Sequence, residues 1–239
     1  MRSSSILAWV LTAILFSSAP TCADVAPADY NAFWLWGGVT PSPVLAQART
    51  LYILQGEVYA DRRRNSVDVR AQGISIPHLK TNEIWLVYRA NTLDWPERAP
   101  ELMTAQVARW RLAGNNVVGV QIDFDAATGR LANYADFLRN LRKHLPADCH
   151  LGITGLLDWS GRIDPATVND LKGIVDELVI QTYQGRHTIL GYDAYLPYLD
   201  RLTLPFKIGL VEAGDWTAPT GLATNPWFRG FVVFLVNHK

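Results

Sequence analysis

Asp123 and Asp125 are the residues whose type and spacing point most directly to chemistry. They lie within residues 116–129, NVVGVQIDFDAATG, whose apolar part predicts a β-strand that runs into a loop. Because side chains alternate along a strand, Gln121, Asp123 and Asp125 should share one face. Two neighbouring carboxylates disfavour each other's ionisation, which raises the pKa of one into the range of a general acid. The spacing therefore predicts a proton donor beside a charged partner.

Two other interpretations of this pair are open at the level of sequence. Acidic residues at strand ends often bond loop amides or cap the next turn, and both aspartates fit that role. A metal site is the weaker alternative, because no His or Glu ligand accompanies the pair at close spacing and no HExxH motif is present. The chain also has no Gly-x-Gly-x-x-Gly or Gly-x-Ser-x-Gly motif. We predict neither a metal nor a cofactor.

Eight short apolar or β-branched runs predict the strands that must position these residues. Helical periodicity covers residues 99–113 and 131–145, with shorter patterns at 164–172 and 192–202. Such alternation is typical of parallel sheets, and eight units predict one compact (β/α)8 TIM barrel of class α/β. Residues 56–80, after the second run, show no helical period and predict an irregular insertion such as a hairpin. The runs are residues 32–36, 51–55, 84–89, 117–123, 150–155, 177–182, 206–210 and 231–236.

Residues near the carboxyl ends of these strands should line the mouth of the barrel. Glu212 follows the seventh run and is a further candidate carboxylate. Four other polar residues share a strand face or lie near a strand end, where they would bind substrate; for those in loops, salt bridges are the alternative. These four are Gln121, Gln181, Arg89 and Asp158.

The segment GVQIDFD resembles the fourth-strand signature of family 18 glycoside hydrolases, which are chitinase-like (β/α)8 barrels. Their pattern is Asp-x-x-Asp-x-Asp-x-Glu, and Val118, Gln121, Asp123 and Asp125 stand at its four positions. The resemblance implies that Asp125 protonates the leaving oxygen of a sugar substrate. It also implies that Asp123 orients the substrate's 2-acetamido group and that Tyr183 hydrogen-bonds the same group.

Other segments extend this resemblance. VIQTYQG at residues 179–185 resembles the family's sixth strand, and LPFKIGLVEAG at residues 204–214 resembles the seventh. The terminal GFVVFLVN matches the eighth strand loosely, with Phe234 in place of the usual Trp. Residues 121–146, followed by LGITGLLDW, also resemble a family of exported bacterial proteins, a likeness that brings no function with it.

The chain departs from the family 18 pattern at three positions. Asp125 stands where the family has Glu, so its carboxyl is one methylene shorter, and Val118 and Gln121 replace supporting acids. A second route keeps Asp125 as acid/base and uses Glu212 as nucleophile, at a carboxyl separation of about 5 to 5.5 Å. Tryptophans near strand ends offer flat faces for sugar rings, with core packing as the alternative. They are Trp36, Trp95, Trp159 and Trp216.

Composition narrows the classes of partner. The 22 basic and 22 acidic residues give a net charge of zero, which lacks the cationic surface that nucleic acid requires. Arg2 and the apolar residues 6–16 predict a signal peptide over residues 1–23, with an uncleaved anchor helix as the alternative. Residues 24–239 then form a single domain, periplasmic or secreted, with no stable membrane insertion.

These features together predict a glycoside hydrolase-like protein that acts on a polysaccharide or an amino-sugar glycan. The alternative is a non-catalytic carbohydrate-binding barrel of the cell envelope, which kept the groove and lost the acid. A third hypothesis, an envelope scaffold, predicts a mouth without clustered acids.

Overall fold

The computed structural model describes residues 23–36, 42–61, 63–125, 131–159 and 165–237. The predicted signal peptide lies outside the described residues except for Ala23. That residue begins a short strand, Ala23–Asp24, which pairs antiparallel with Asp215–Trp216. Within the described ranges, no helix combines the length and the apolar character that crossing a membrane requires.

Eight parallel strands form the body of the described structure. They are β1 (Ala32–Leu35), β2 (Thr50–Asp61), β3 (Glu83–Ala90), β4 (Val117–Phe124), β5 (His150–Leu156), β6 (Glu177–Gln181), β7 (Phe206–Val211) and β8 (Phe228–Phe234). Each strand pairs with its neighbours in chain order, and β1 pairs with both β2 and β8, which closes the sheet. The predicted (β/α)8 barrel is therefore confirmed.

Helices and 3-10 segments carry the chain between parallel strands, which cannot be joined by a tight turn. The α-helices in the described residues are α1 (Arg98–Leu112), α2 (Leu131–Arg142) and α3 (Pro165–Asn169). On α1, Met103, Val107 and Trp110 recur at spacings of three and four and are buried against the barrel. The predicted helix at residues 192–202 is a 3-10 helix, Tyr192–Arg201, because Pro197 lacks the N–H that an α-helix needs.

The predicted insertion after the second strand is a hairpin. β2 extends beyond the barrel and pairs antiparallel with Ser66–Ala71, with Gly56 opposite Ala71 and Asp61 opposite Ser66. At the turn, the backbone N–H groups of Arg63 and Arg64 donate to Asp61 Oδ1 at 2.9 and 3.2 Å. This contact replaces the ladder bonds that the turn interrupts.

Large aromatic side chains fill the interior of the barrel at its amino-terminal end. Trp85 stacks on Tyr52, with ring centroids 5.8 Å apart. Gly119 and Gly152 leave space for the Trp85 ring, since a Cβ at these positions would lie 2.6 and 3.0 Å from it. The interior of the barrel is therefore a packed core at this end.

Tyr52, Glu177 and Lys207 form a closed polar network at the same end, which we call the basal triad. Lys207 Nζ lies 2.9 Å from Glu177 Oε2 and donates to the Tyr52 hydroxyl at 2.8 Å. Tyr52 in turn donates to Glu177 Oε1. Burial, followed by the charge of Glu177, raises the pKa of Tyr52 well above its ordinary value. Every member of the triad has a partner, so its charges are compensated inside the protein.

Candidate active site

A cavity of about 780 Å³ opens at the carboxyl ends of the strands. All eight parallel strands finish on the same side of the barrel, so residues at their carboxyl ends meet around this cavity. Seven of the residues predicted from sequence line this cavity. They are Trp36, Arg89, Asp123, Asp125, Asp158, Gln181 and Tyr183.

Asp123 lies deep in the cavity, near the end of β4, and is only 6% exposed. The Thr154 hydroxyl on β5 donates to its Oδ1 at 2.9 Å. The pKa of Asp123 is raised to about 6, chiefly because burial disfavours the charged form. The Thr154 hydrogen bond and Arg89 oppose this rise, and the charge of Asp125 adds to it. Asp123 therefore exchanges a proton near neutral pH.

Asp125 follows the last residue of β4 and is exposed at the mouth of the cavity. The intervening Phe124 faces the opposite way, into the layer between barrel and helices. The alternation predicted from the sequence thus holds through the end of the strand. One carboxyl of the pair is buried, the other is open to solvent, and both face the same cavity.

Three aromatic side chains form one wall of the cavity. The rings of Tyr183 and Phe234 stack at 5.4 Å with an interplanar angle of 13°, and Trp36 meets Phe234 edge-on at 6.1 Å. The Arg89 guanidinium lies over the Trp36 ring at 4.9 Å. Burial raises the pKa of Tyr183 well above its ordinary value, and Gln181 hydrogen-bonds its side chain. The phenol is therefore a neutral hydrogen-bonding group.

Gln121 and Glu212 do not line the cavity. Gln121 is fully buried in the barrel interior, two residues before Asp123, and its amide atoms have no hydrogen-bond partner in the described structure. Glu212 Oε2 instead accepts a hydrogen bond from the backbone N–H of Val236 at 2.9 Å. The structure thus does not bring Glu212 together with Asp125, as the two-carboxylate route through the seventh strand requires.

Two of the tryptophans predicted to bind sugar are core residues. Trp159 is 1% exposed and packs edge-on against Tyr134, while Trp216 is 6% exposed and stacks on Tyr192. Such burial leaves no face of either indole for a sugar ring, which corrects the prediction for both. Trp95 is half-buried and packs against Phe137 at 5.0 Å, away from the residues that line the cavity.

The sequence reasoning missed the hairpin that follows β6. Its two short strands, Tyr183–Gln184 and His187–Thr188, pair antiparallel and carry Arg186 to the cavity. The signal that would have identified it is Gly185, whose φ of 61° provides the left-handed turn. Phe234 was noted only as a departure from a motif, yet it is the residue that joins Trp36 and Tyr183.

Nothing in the described residues resembles a metal centre, since no three His, Cys, Asp or Glu side chains lie together as ligands would.

Comparisons with known proteins give a partial match to a family model of unknown function and distant similarity to solved structures. Residues 90–196 match the domain of unknown function DUF3142. No curated protein matches the chain. The spore cortex-lytic enzyme SleL of Bacillus cereus is similar at 16% identity and a TM-score of 0.49, over 76% of this chain. The chain spans 50% of the length of SleL.

The second similar structure is the chitinase domain of the spore coat protein CotE from Clostridium difficile. Its identity to this chain is 14% and its TM-score is 0.47, and the match covers 85% of this chain and 70% of that domain.

Proposed function

We propose that this barrel binds a polysaccharide or amino-sugar glycan in its cavity and hydrolyses a glycosidic bond. Asp125 is the general acid and Asp123 is its partner. One observation carries the proposal: a buried carboxyl with a pKa of about 6 and an exposed carboxyl, two residues apart, face the same cavity. Paired carboxyls in different environments are the arrangement by which glycosidases separate the roles of acid and charged helper.

The exposure of Asp125 suits it to reach the oxygen that leaves with the departing sugar. Asp123 is held by Thr154 below it and acts on Asp125 through its charge. The charge of Asp125 adds to the rise in the pKa of Asp123 that burial causes, so Asp123 holds a proton more readily than an exposed carboxyl does. A proton is thus held at the cavity, where cleavage of a glycosidic bond needs it.

The aromatic wall supports a sugar as the ligand. Trp36 and Tyr183 each present an apolar ring with a polar neighbour, Arg89 or Gln181. Sugar rings combine C–H patches with hydroxyls, and such walls bind both. As part of the proposal, residues 1–23 act as an export signal, so that the barrel meets its glycan outside the cytoplasm; N-terminal sequencing of the exported protein tests this point.

The function is tested by replacing Asp125 with Asn. Purified protein is incubated with chitin, peptidoglycan and exopolysaccharide fragments, and new reducing ends are measured. We expect Asp125→Asn to lower turnover by about 100-fold or more, because the acid is lost, while binding of the cleaved fragment persists. Asp170→Asn, an exposed aspartate beyond α3, is the matched control and should retain wild-type turnover. Binding without cleavage by the wild type would instead establish a carbohydrate-binding barrel.

A further inference from the structure

Arg89 and Arg186 are the basic side chains among the described residues that line the cavity. Both are exposed to solvent, and neither takes part in a salt bridge or a hydrogen bond in the described part of the chain. Arginines outside the cavity differ from them: Arg111 and Arg142 each pair with an aspartate, at 3.0 and 2.8 Å. The cavity therefore presents two guanidinium groups whose N–H donors are available to a ligand.

Arg89 is held in place without using those donors. It lies near the end of β3, level with Asp123 on β4. Its guanidinium nevertheless lies over the ring of Trp36, 4.9 Å from the centroid, and makes no salt bridge to Asp123. A guanidinium that lies over an aromatic ring keeps the N–H groups along its edge for a ligand. Such a group is pre-organised to bind a carboxylate through two parallel hydrogen bonds.

The two arginines lie at opposite ends of the aromatic wall. The wall runs from Trp36 through Phe234 to Tyr183. Arg89 contacts Trp36 at one end, and the hairpin that begins with Tyr183 carries Arg186 at the other. The proposed pair of catalytic carboxyls comes from β4, a strand that contributes no residue to this wall. A sugar ring that lies on the wall therefore has a guanidinium beside it.

We propose that the cavity selects a glycan whose sugars carry carboxylates, an inference that rests on the proposed function and narrows its substrate class. Arg89 binds one carboxylate through the edge of its guanidinium, and Arg186 attracts a second. A neutral hydroxyl leaves the charge of a guanidinium uncompensated, whereas a carboxylate neutralises it and accepts two hydrogen bonds. Uronic acids and the lactyl group of muramic acid both supply this planar acceptor.

The proposal is tested by removing the charge from the ligand. Fragments of polygalacturonate and of peptide-free peptidoglycan are titrated into the protein by calorimetry, each as the free acid and as its methyl ester. We expect at least one acid to bind about 10-fold more tightly than its ester, because an ester cannot form the charged pair. Higher ionic strength should weaken binding of the acid and not of the ester. An absence of preference for either acid, or of binding, overturns the proposal.

Variants of Arg89 assign the preference to its guanidinium. Arg89→Gln should weaken binding of the preferred acid by about 10-fold and that of its ester by less than about 3-fold. Arg89→Lys keeps the charge without the fork and should retain part of the preference. Arg49→Gln removes an exposed arginine just before β2, at the opposite end of the barrel, and should bind both forms as the wild type does. Equal losses for acid and ester in a folded Arg89→Gln would overturn the role of Arg89.

Release of reducing ends from the same fragments separates this proposal from the proposed function. Cleavage of neutral fragments without any preference for acids overturns the selection of carboxylates and leaves the glycosidase function intact. Preferential binding of an acid without cleavage of any fragment supports the carboxylate site and refutes hydrolysis.

Discussion

The two ends of the barrel differ in how completely their buried charged groups are hydrogen-bonded. At the amino-terminal end, the basal triad of Tyr52, Glu177 and Lys207 is closed on itself. At the carboxyl-terminal end, Asp123 accepts one hydrogen bond and Asp158 Oδ1 accepts none from the described residues. The same barrel therefore carries a fully paired polar network at one end and carboxyls with few partners among the described residues at the other.

This difference distinguishes charged groups that stabilise the fold from charged groups that are available to a ligand or a reaction. A buried ion pair with good geometry holds together the strands that carry its two residues. Removing one partner leaves the other as an uncompensated buried charge. A buried carboxyl with few partners lowers the stability of the fold, and such groups cluster where a ligand or a reaction uses them. The stability of the protein should therefore change in opposite directions when charge is removed from the two ends.

The largest effect is expected at the basal triad. Lys207→Met should lower the free energy of unfolding by about 3–5 kcal/mol, because it leaves Glu177 buried without its counter-ion. Urea denaturation measures the loss. Adding Glu177→Gln to Lys207→Met should recover a large part of it, since no buried charge then remains. A single variant as stable as wild type would mean that the triad contributes no net stabilisation.

Removing the charge of Asp123 from the cavity should instead raise the free energy of unfolding. The rise of the pKa of Asp123 from 3.8 to about 6 disfavours its charged form in the folded state. This corresponds to at most about 3 kcal/mol of lost stability, present in full above pH 6 and relieved as pH falls through 6 towards 3.8. Asp123→Asn should therefore stabilise the protein at pH 8.

The pH dependence distinguishes this effect from general repacking. The stability gained by Asp123→Asn over wild type should shrink between pH 8 and pH 4.5, as measured by urea denaturation at each pH. A gain that does not change with pH would show that burial of the charged Asp123 is not its cause.

The smallest effect concerns two half-buried tryptophans with similar cation contacts at opposite ends. Trp36 lies under Arg89 at the mouth, and Trp227 lies under Lys172 at 4.8 Å, just before β8 begins. Trp36→Ala should weaken glycan binding by about 5-fold through the loss of about 1 kcal/mol of stacking. Trp227→Ala is the matched control and should leave the affinity unchanged. Isothermal titration with the bound fragment checks both, and equal losses would contradict a binding role for Trp36.

The periodicity of the strands predicted more of the residues at the mouth of the cavity than the loop sequences did. Gln121, Asp123 and Asp125 were placed on one face by alternation alone, and the structure keeps Asp123 and Asp125 on one cavity. Trp159 and Trp216 lie past strand ends, where the course of the chain depends on what it packs against. Both turn into the core, which no local pattern in the sequence indicates. The hairpin that carries Arg186 was missed although Gly185 provides a local signal for its turn.

What the sequence determined by itself is the local periodicity: eight strands, their order around a barrel, and the shared direction of the two acids on β4. These follow from the alternation of side chains along single segments. The tertiary structure alone decided which polar groups meet. Tyr52 contacts Glu177 and Lys207 across 125 and 155 positions of the chain, and Asp123 meets Thr154 across 31. Burial and contacts between distant residues arise only when the sheet closes, and they determine the pKa of Asp123.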